Sequence, residues 1–554
     1  MSNFTKRLLN LLKGPGLALI LAGAGGLACS APDDAGVDPD AKPGEFADKG
    51  GAIGLCSSST RGTPLLRRLT AREYNNTLNS VFPEVAGKWT SLLSSDSVSH
   101  YGFDNEAEKL VVSKQMARDL DRTAAAVAAS VTGPALATLL PCSQAAPDRA
   151  CAEQFVGKYG KRLYHRPLSA DESGRIMGLF DEALAKTTFA EAIGWATRAL
   201  ILSPAAVYRR EIGVTQDGKR ELSQHEIATL LAYTFSGTAP SDELLAKADA
   251  GELSDKARLK EVAKGLLATP EGRENLHYLF GAWLEYPKVT TVTKTSVADF
   301  ETLREDMREE TRRFLDAVIF EGGGGIKELL TSTNTYPSPA LATFYGFPAP
   351  GADGAAVVRP EGKGVGILGQ GSILSTEASS NSSSPTQRGL LVMENLLCRT
   401  PPIVPANIPI IAEPSPGEKT TRQRYEELHA NEGACKQCHK QFDPIGFGFE
   451  HYDEAGRFRA DEGSLPVDAS GQVPSDDSAP GFTFAGQEEL ANKLAGEREV
   501  QACVSGRLKV FAFGTEEGCL GETEREQFMT GAIGFIDYLA SLAAEPHFGQ
   551  RKAE

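Results

Sequence analysis

The chain has 554 residues, 57 Lys and Arg against 73 Asp and Glu, and a formal net charge of −16; 41% of its residues are hydrophobic and 23% charged. That length implies about three to five compact units, and that composition permits packed cores. An acidic body with no basic stripe interleaved with aromatics argues against a nucleic-acid partner.

The N-terminus reads as an address rather than as structure. Lys6, Arg7 and Lys13 stand without acidic neighbours ahead of an apolar, small-residue run from Leu17 to Ala28. Too short for a permanent bilayer span, this run makes residues 1–28 a signal peptide. Gly26-Leu27-Ala28-Cys29 resembles a bacterial lipoprotein cleavage site with Cys29 as the lipidated residue, although Leu27 lies one place nearer the cysteine than usual. Plain secretion with Cys29 as an incidental thiol is the alternative. Residues 29–62 then read as a flexible acidic tether, rich in Asp, Pro, Gly and Ala and without apolar periodicity. Beyond it no stretch offers 18 uninterrupted apolar residues, so the body is expected to be soluble.

Helix-start signals dominate the chain beyond the tether. Leu69-Thr70-Ala71-Arg72-Glu73, Leu168-Ser169-Ala170-Asp171-Glu172 and Leu222-Ser223-Gln224-His225-Glu226 each place a hydroxyl three residues before a Glu, the pattern of a capping box. The stripes behind them have helical spacing: Tyr74, Thr77, Leu78, Val81 and Phe82, then Phe189, Ile193, Ala196 and Leu200 up to Pro204, then Ile227, Leu230, Leu231 and Thr234. Strand alternation is scarce. The reading is therefore mainly α: helical modules at 63–145, 146–215 and 216–349, a cytochrome c-like haem-bearing domain at 350–462, and a helical C-terminal domain at 463–554. Within 350–420, Gly, Ser and Pro predominate, around a short helix at about Gln387 to Leu397; another, about Arg422 to Ala430, leads into a cysteine motif.

Cys435-Lys436-Gln437-Cys438-His439 is the strongest chemical signal. Covalent haem attachment needs two thiols one helical turn apart to add to the porphyrin vinyl groups, and an adjacent histidine as proximal iron ligand. A redox dithiol would sit in a βαβ context, and a zinc site would need a second ligand pair nearby; neither is present. One covalent haem c is expected, with His439 on the metal. Phe442, Pro444, Ile445, Phe447 and Phe449 supply apolar wall, Gly446 and Gly448 allow backbone close to a flat ring, and Arg457 and Arg459 are candidates to pair with propionates. The sixth iron position is not readable: His429 lies along the entering helix, His451, Met393 and Met529 are far enough along the chain to reach the other face, and an open or water-bound site is equally allowed.

Six further cysteines, Cys56, Cys142, Cys151, Cys398, Cys503 and Cys519, form an even set that suits an oxidising compartment and allows 15 pairings. The short loops Cys142–Cys151 and Cys503–Cys519, beside Pro141 and Gly518, are the expected bridges, which leaves Cys56 with Cys398.

Taken together, the segments resemble the planctomycete and myxobacterial cytochrome-associated proteins built from serial domains of unknown function. The resemblance rests on Leu66-Arg67-Arg68-Leu69-Thr70 with Glu73-Tyr74-Asn75-Asn76-Thr77, on Arg162-Leu163-Tyr164-His165-Arg166-Pro167-Leu168, and on Leu222 to Phe235 with Phe344-Tyr345-Gly346. Gly369-Gln370-Gly371-Ser372, Ser384-Pro385-Thr386-Gln387-Arg388-Gly389, Cys435 to Arg459, and Lys509-Val510-Phe511-Ala512-Phe513-Gly514 complete it. Phe442 stands where the resembled haem signature has Met, and His451 where it has Asn. The resemblance implies no established reaction.

The dinucleotide-like run Gly364-Val365-Gly366-Ile367-Leu368-Gly369 lacks a βαβ setting, and Gly322 to Gly325 read as a connector rather than a phosphate cradle. The leading expectation is an exported, membrane-anchored lipoprotein facing the periplasm or exterior that passes electrons to an envelope redox partner protein. A haem enzyme of peroxidase or oxygenase type and a surface binding lipoprotein are the rivals.

Overall fold

The computed structural model describes residues 61–99, 101–216, 219–402, 419–431, 433–476, 479–515 and 521–552. It is mainly helical, 58% helix against 8% strand, and the strands that form are short and antiparallel, in two-stranded pairs and one three-stranded sheet.

The helix starts lie where the hydroxyl–carboxylate pairs place them. Helix α1 (Ala71–Val81) opens on Thr70, whose Oγ1 accepts from the Glu73 amide at 3.0 Å while Glu73 accepts from the Thr70 amide at 2.9 Å. After α2 (Lys114–Val131) and α3 (Arg149–Tyr164), the same reciprocal box starts α4 (Ala170–Leu184) at Ser169 and Glu172. A box that the leucine-led pattern does not include, Thr188 with Glu191, starts α5 (Phe189–Leu202), and Ser223 with Glu226 starts α6 (Gln224–Ser236). Each box satisfies two amides that a bare helix end leaves without partners.

The first two helical segments share one core. Tyr74, Leu78 and Phe82, Val127, Phe155 and Tyr159, Phe180, and Ile193 and Leu200 pack together, with Tyr233 of α6 against them. A second, larger core joins residues from 222–330 to 367–397, to 442–452 and to the C-terminal helices as far as Phe548. Modules adjacent in sequence are therefore fused through shared apolar layers rather than strung as beads.

Short strands fasten the ends of this assembly. Strand β1 (Leu65–Arg68) pairs antiparallel with β2 (Tyr208–Glu211), and Gln550–Arg551 pairs with Lys219–Glu221. Behind them lies a buried ionic cluster. Arg209 Nε donates to Glu211 at 2.6 Å, Arg551 Nη2 donates to the other Glu211 oxygen at 2.8 Å, and Arg67 donates to the Phe513 carbonyl at 3.0 Å. Burial alone would push the Glu211 carboxyl up, but Arg209, Arg551 and Arg67 together bring it down to about 2. Unfolded, the same carboxyl binds its proton below about 4.5. Between these values the unfolded chain holds the extra proton, so stability is present above pH 4.5 and falls as pH drops towards 2. The urea midpoint should fall from pH 5 to pH 3, with a flatter slope in Glu211→Gln; equal slopes in the two proteins would refute this assignment.

Two disulfides lie among the described residues. Cys142 pairs with Cys151 as expected. Cys503 pairs with Cys398, which corrects both the Cys503–Cys519 and the Cys56–Cys398 expectations. Cys503 is fully buried within the helix Arg498–Phe513, on a face turned to the end of the helix that precedes Cys398, so the partner remote in sequence is the near one in space. Cys56 and Cys519 lie outside the described residues, as do Cys29, the signal and most of the tether. Among the described residues no helix is long and apolar enough to cross a membrane.

Candidate functional site

Four helices build the region around the cysteine motif: α7 (Pro385–Asn395), α8 (Thr421–Asn431), α9 (Gly433–His439) and α10 (Asp443–Gly446). The two helices expected at about 387–397 and 422–430 are α7, which lies two residues earlier, and α8, which is one residue longer at each end.

Helix α7 starts on Ser384, whose side chain accepts from the Gln387 amide, with Pro385 in the first turn where its missing N–H costs nothing. It lies against α10 at backbone contact distance. A Cβ on Gly389 would fall 2.0 Å from the Phe442 carbonyl oxygen, and one on Gly446 would fall 1.8 Å from that of Pro385. Only glycine at both positions allows this approach. Arg388, fully buried, locks it: its guanidinium donates to the backbone carbonyls of Leu374, Phe449, Tyr452 and Asp453 at 2.6 to 3.0 Å.

Cys435 and Cys438 sit one turn apart on α9 as free thiols, Cys435 buried and Cys438 half-buried against the larger core. His439 ends the helix. Its Nδ1 lies 3.0 Å from Asp443 Oδ2 and 3.2 Å from Oδ1, and the Phe442 ring meets it edge-on at 5.0 Å. A carboxylate only accepts, so Nδ1 is the donor and the lone pair of the neutral ring is on Nε2. Asp443 is itself buried, and Thr386 of α7 donates to its Oδ1 at 2.6 Å. Sequence reading missed both residues. The spacing of four between His439 and Asp443 was the available signal for one; Thr386 reaches the site only through the packing of α7 on α10.

Of the apolar residues after the motif, Phe442, Ile445, Phe447 and Phe449 are buried and Pro444 is half-buried; Phe442, Ile445 and Phe449 belong to the large core. Gly446 and Gly448, expected to admit a flat ring, are used otherwise. Gly446 is pressed on Pro385, and a Cβ on Gly448 would meet the Phe484 ring at 2.6 Å. The guanidiniums read as propionate partners are engaged by protein carboxylates. Arg457 Nε is 2.7 Å from Asp453; Arg459 Nη2 is 3.1 Å from buried Glu450 and donates to Ser383 at 2.9 Å. Among the sixth-ligand candidates, His451 donates through Nδ1 to the Arg459 carbonyl at 2.9 Å and stacks on Phe458. Met393 and Met529 are buried, and the His429 side chain lies outside the described residues. Among the described residues no group of three or more His, Cys, Asp and Glu is gathered to hold a metal ion.

The discounted loops are closed by protein groups. Gly364 and Val365 amides donate to Glu488 and Gln487 at 3.2 and 2.9 Å, and the Gly325 amide donates to Glu328 at 2.9 Å.

Four family models match in chain order. Residues 67–133 match PSD3, a protein of unknown function (DUF1587). Residues 151–211 match PSD5 (DUF1595), residues 222–347 match PSD4 (DUF1592), and residues 364–462, with the whole cysteine motif, match PSCyt3 (DUF1588), each likewise described as a protein of unknown function. No curated protein and no solved structure matches the chain.

Proposed function

We propose, from the premise that this chain carries the serial domains of a multi-domain cytochrome-associated protein of unknown function, that it is an exported c-type cytochrome of the cell envelope. One observation carries the reading: two free thiols one turn apart on a short helix that ends in a histidine held through Nδ1. Those donors fit a covalent haem, the thiols for its vinyl carbons and His439 Nε2 for its iron. The haem supplies a one-electron ferric/ferrous couple.

The chain's own groups do the rest. Cys435 and Cys438 would hold the haem through its vinyl carbons, Asp443 orients the His439 imidazole, and the fused apolar cores keep that geometry rigid. The rest of the body offers surface to a redox partner protein, and lipidated Cys29 holds the assembly at a membrane facing the periplasm or exterior. A haem enzyme of peroxidase type is the second reading, favoured by the carboxylate on His439, since a more basic proximal ligand supports higher iron oxidation states.

The full-length protein, matured with haem-attachment machinery, should show a pyridine-haemochrome signal that survives denaturation and fractionates with membranes. Cys435→Ala or Cys438→Ala should abolish the covalent signal. Wild-type protein without it would overturn the reading. A reduced spectrum blind to carbon monoxide supports electron transfer, and ready binding supports the enzyme.

A further inference from the structure

We infer that Asp443 is a positioning residue that makes His439 an electron-rich proximal ligand, with Thr386 fixing the carboxylate. The inference rests on the haem reading and adds to it how the site is tuned. Three observations place it.

The first is distance and chemistry. His439 Nδ1 meets a carboxylate at 3.0 Å, and a hydrogen bond to an ionised acceptor is roughly twice as strong as one to a neutral carbonyl. Donation from Nδ1 to a full negative charge shifts electron density on to Nε2, raises the basicity of that ligand and orients the ring. The second is burial. The Asp443 side chain is 6% exposed against 24% for His439, so the interaction is weakly screened by water. The third is the carboxylate's own support. Thr386 donates to Oδ1 at 2.6 Å and stands 3.4 Å from His439 Nδ1, so one hydroxyl from a different helix fixes the carboxylate rotamer beside the imidazole. Thr386 is placed there by the glycine contacts of α7 with α10. The Ser384 to Gly389 motif and the cysteine motif, 46 residues apart from Gly389 to Cys435, are thereby parts of one device.

The consequence is a ferric state favoured over the ferrous one. Removing the negative charge from Nδ1 lowers that preference, so the midpoint potential rises. Asp443→Asn in the holoprotein should raise it by at least about 59 mV, a tenfold change for a one-electron couple. Asp443→Glu should return part of the shift, and Thr386→Val, which leaves both His439 and Asp443 in place, should give a smaller shift of the same sign. Covalent haem content, measured in each variant, separates two failures. Haem retained with an unchanged potential in Asp443→Asn and Thr386→Val overturns the role of Asp443. Absence of haem from the wild-type protein overturns the underlying cytochrome reading as well.

Discussion

Replacing Cys398 and Cys503 together by Ser is expected to cost roughly 4.7 kcal/mol of folding stability, the chain-entropy figure for a loop of about 100 residues. The bridge closes a separation of 105 residues. It also lies at a joint that is already aligned. Arg399 forms a two-pronged ion pair with Glu499 at 2.7 Å on each arm, and Arg507 donates to the Glu394 carbonyl at 2.6 Å and the Asn395 side chain at 2.9 Å. Trp283 donates to the Asn395 carbonyl from the other side at 2.9 Å. These contacts hold the native joint without the sulfur bond, so the bridge acts chiefly by restricting the unfolded chain. Removing Cys142–Cys151, with its separation of 9 residues, should cost less than the ~3 kcal/mol of a loop of about 15 residues. Urea unfolding of both double variants checks the order, and non-reducing peptide mapping checks the pairing. Coincident midpoints for wild type and the Cys398/Cys503 variant, or a Cys503–Cys519 peptide, would reject the assignment.

The contrast between those two bridges shows what the amino-acid order makes legible. Cys142 and Cys151 are joined by a local turn ahead of α3, so proximity in sequence is proximity in space. Cys503 lies in the middle of a helix whose buried face is set by Val500, Val504 and Leu508, and that face looks towards residues more than a hundred positions earlier. The helix starts at Thr70, Ser169 and Ser223 are readable because a capping box is complete within four residues. Thr188 escapes the same pattern because no leucine precedes it, although the hydroxyl and Glu191 are both present.

The candidate site divides the same way. Cys435, Cys438 and His439 form a contiguous motif, so the haem proposed there rests on a spacing that can be read without the fold. Asp443 lies four residues on, but the chain leaves α9 and begins α10 between them, so helical periodicity does not by itself join the pair. Thr386 and Arg388 carry no role readable from sequence, because each acts across a tertiary contact. Arg457 and Arg459 go the other way: their charges suggest an external anion, while the fold supplies Asp453 and Glu450.

Gly446→Ala tests how tightly that tertiary contact and the site are coupled. The new Cβ would stand 1.8 Å from the Pro385 carbonyl oxygen and 2.5 Å from its carbon, both backbone atoms that cannot rotate away. Helix α7 must therefore move off α10, and the displacement falls between Pro385 and Gly446, next to the 2.6 Å bond from Thr386 to Asp443. The expected loss is at or above the ~3 kcal/mol upper end of ordinary overpacking, with Gly389→Ala, 2.0 Å from the Phe442 carbonyl, giving a similar loss. Gly178→Ala is the control: this exposed glycine lies inside α4 with nothing within 4 Å of a new Cβ, so alanine there should be neutral or stabilising by up to about 1 kcal/mol. Urea unfolding of the three variants measures the difference, and the midpoint potential of whatever holoprotein forms should shift in Gly446→Ala in the direction expected for Thr386→Val. A Gly446→Ala protein as stable as wild type would mean that the two helices do not meet at backbone distance. The path by which Thr386 reaches Asp443 would then be lost.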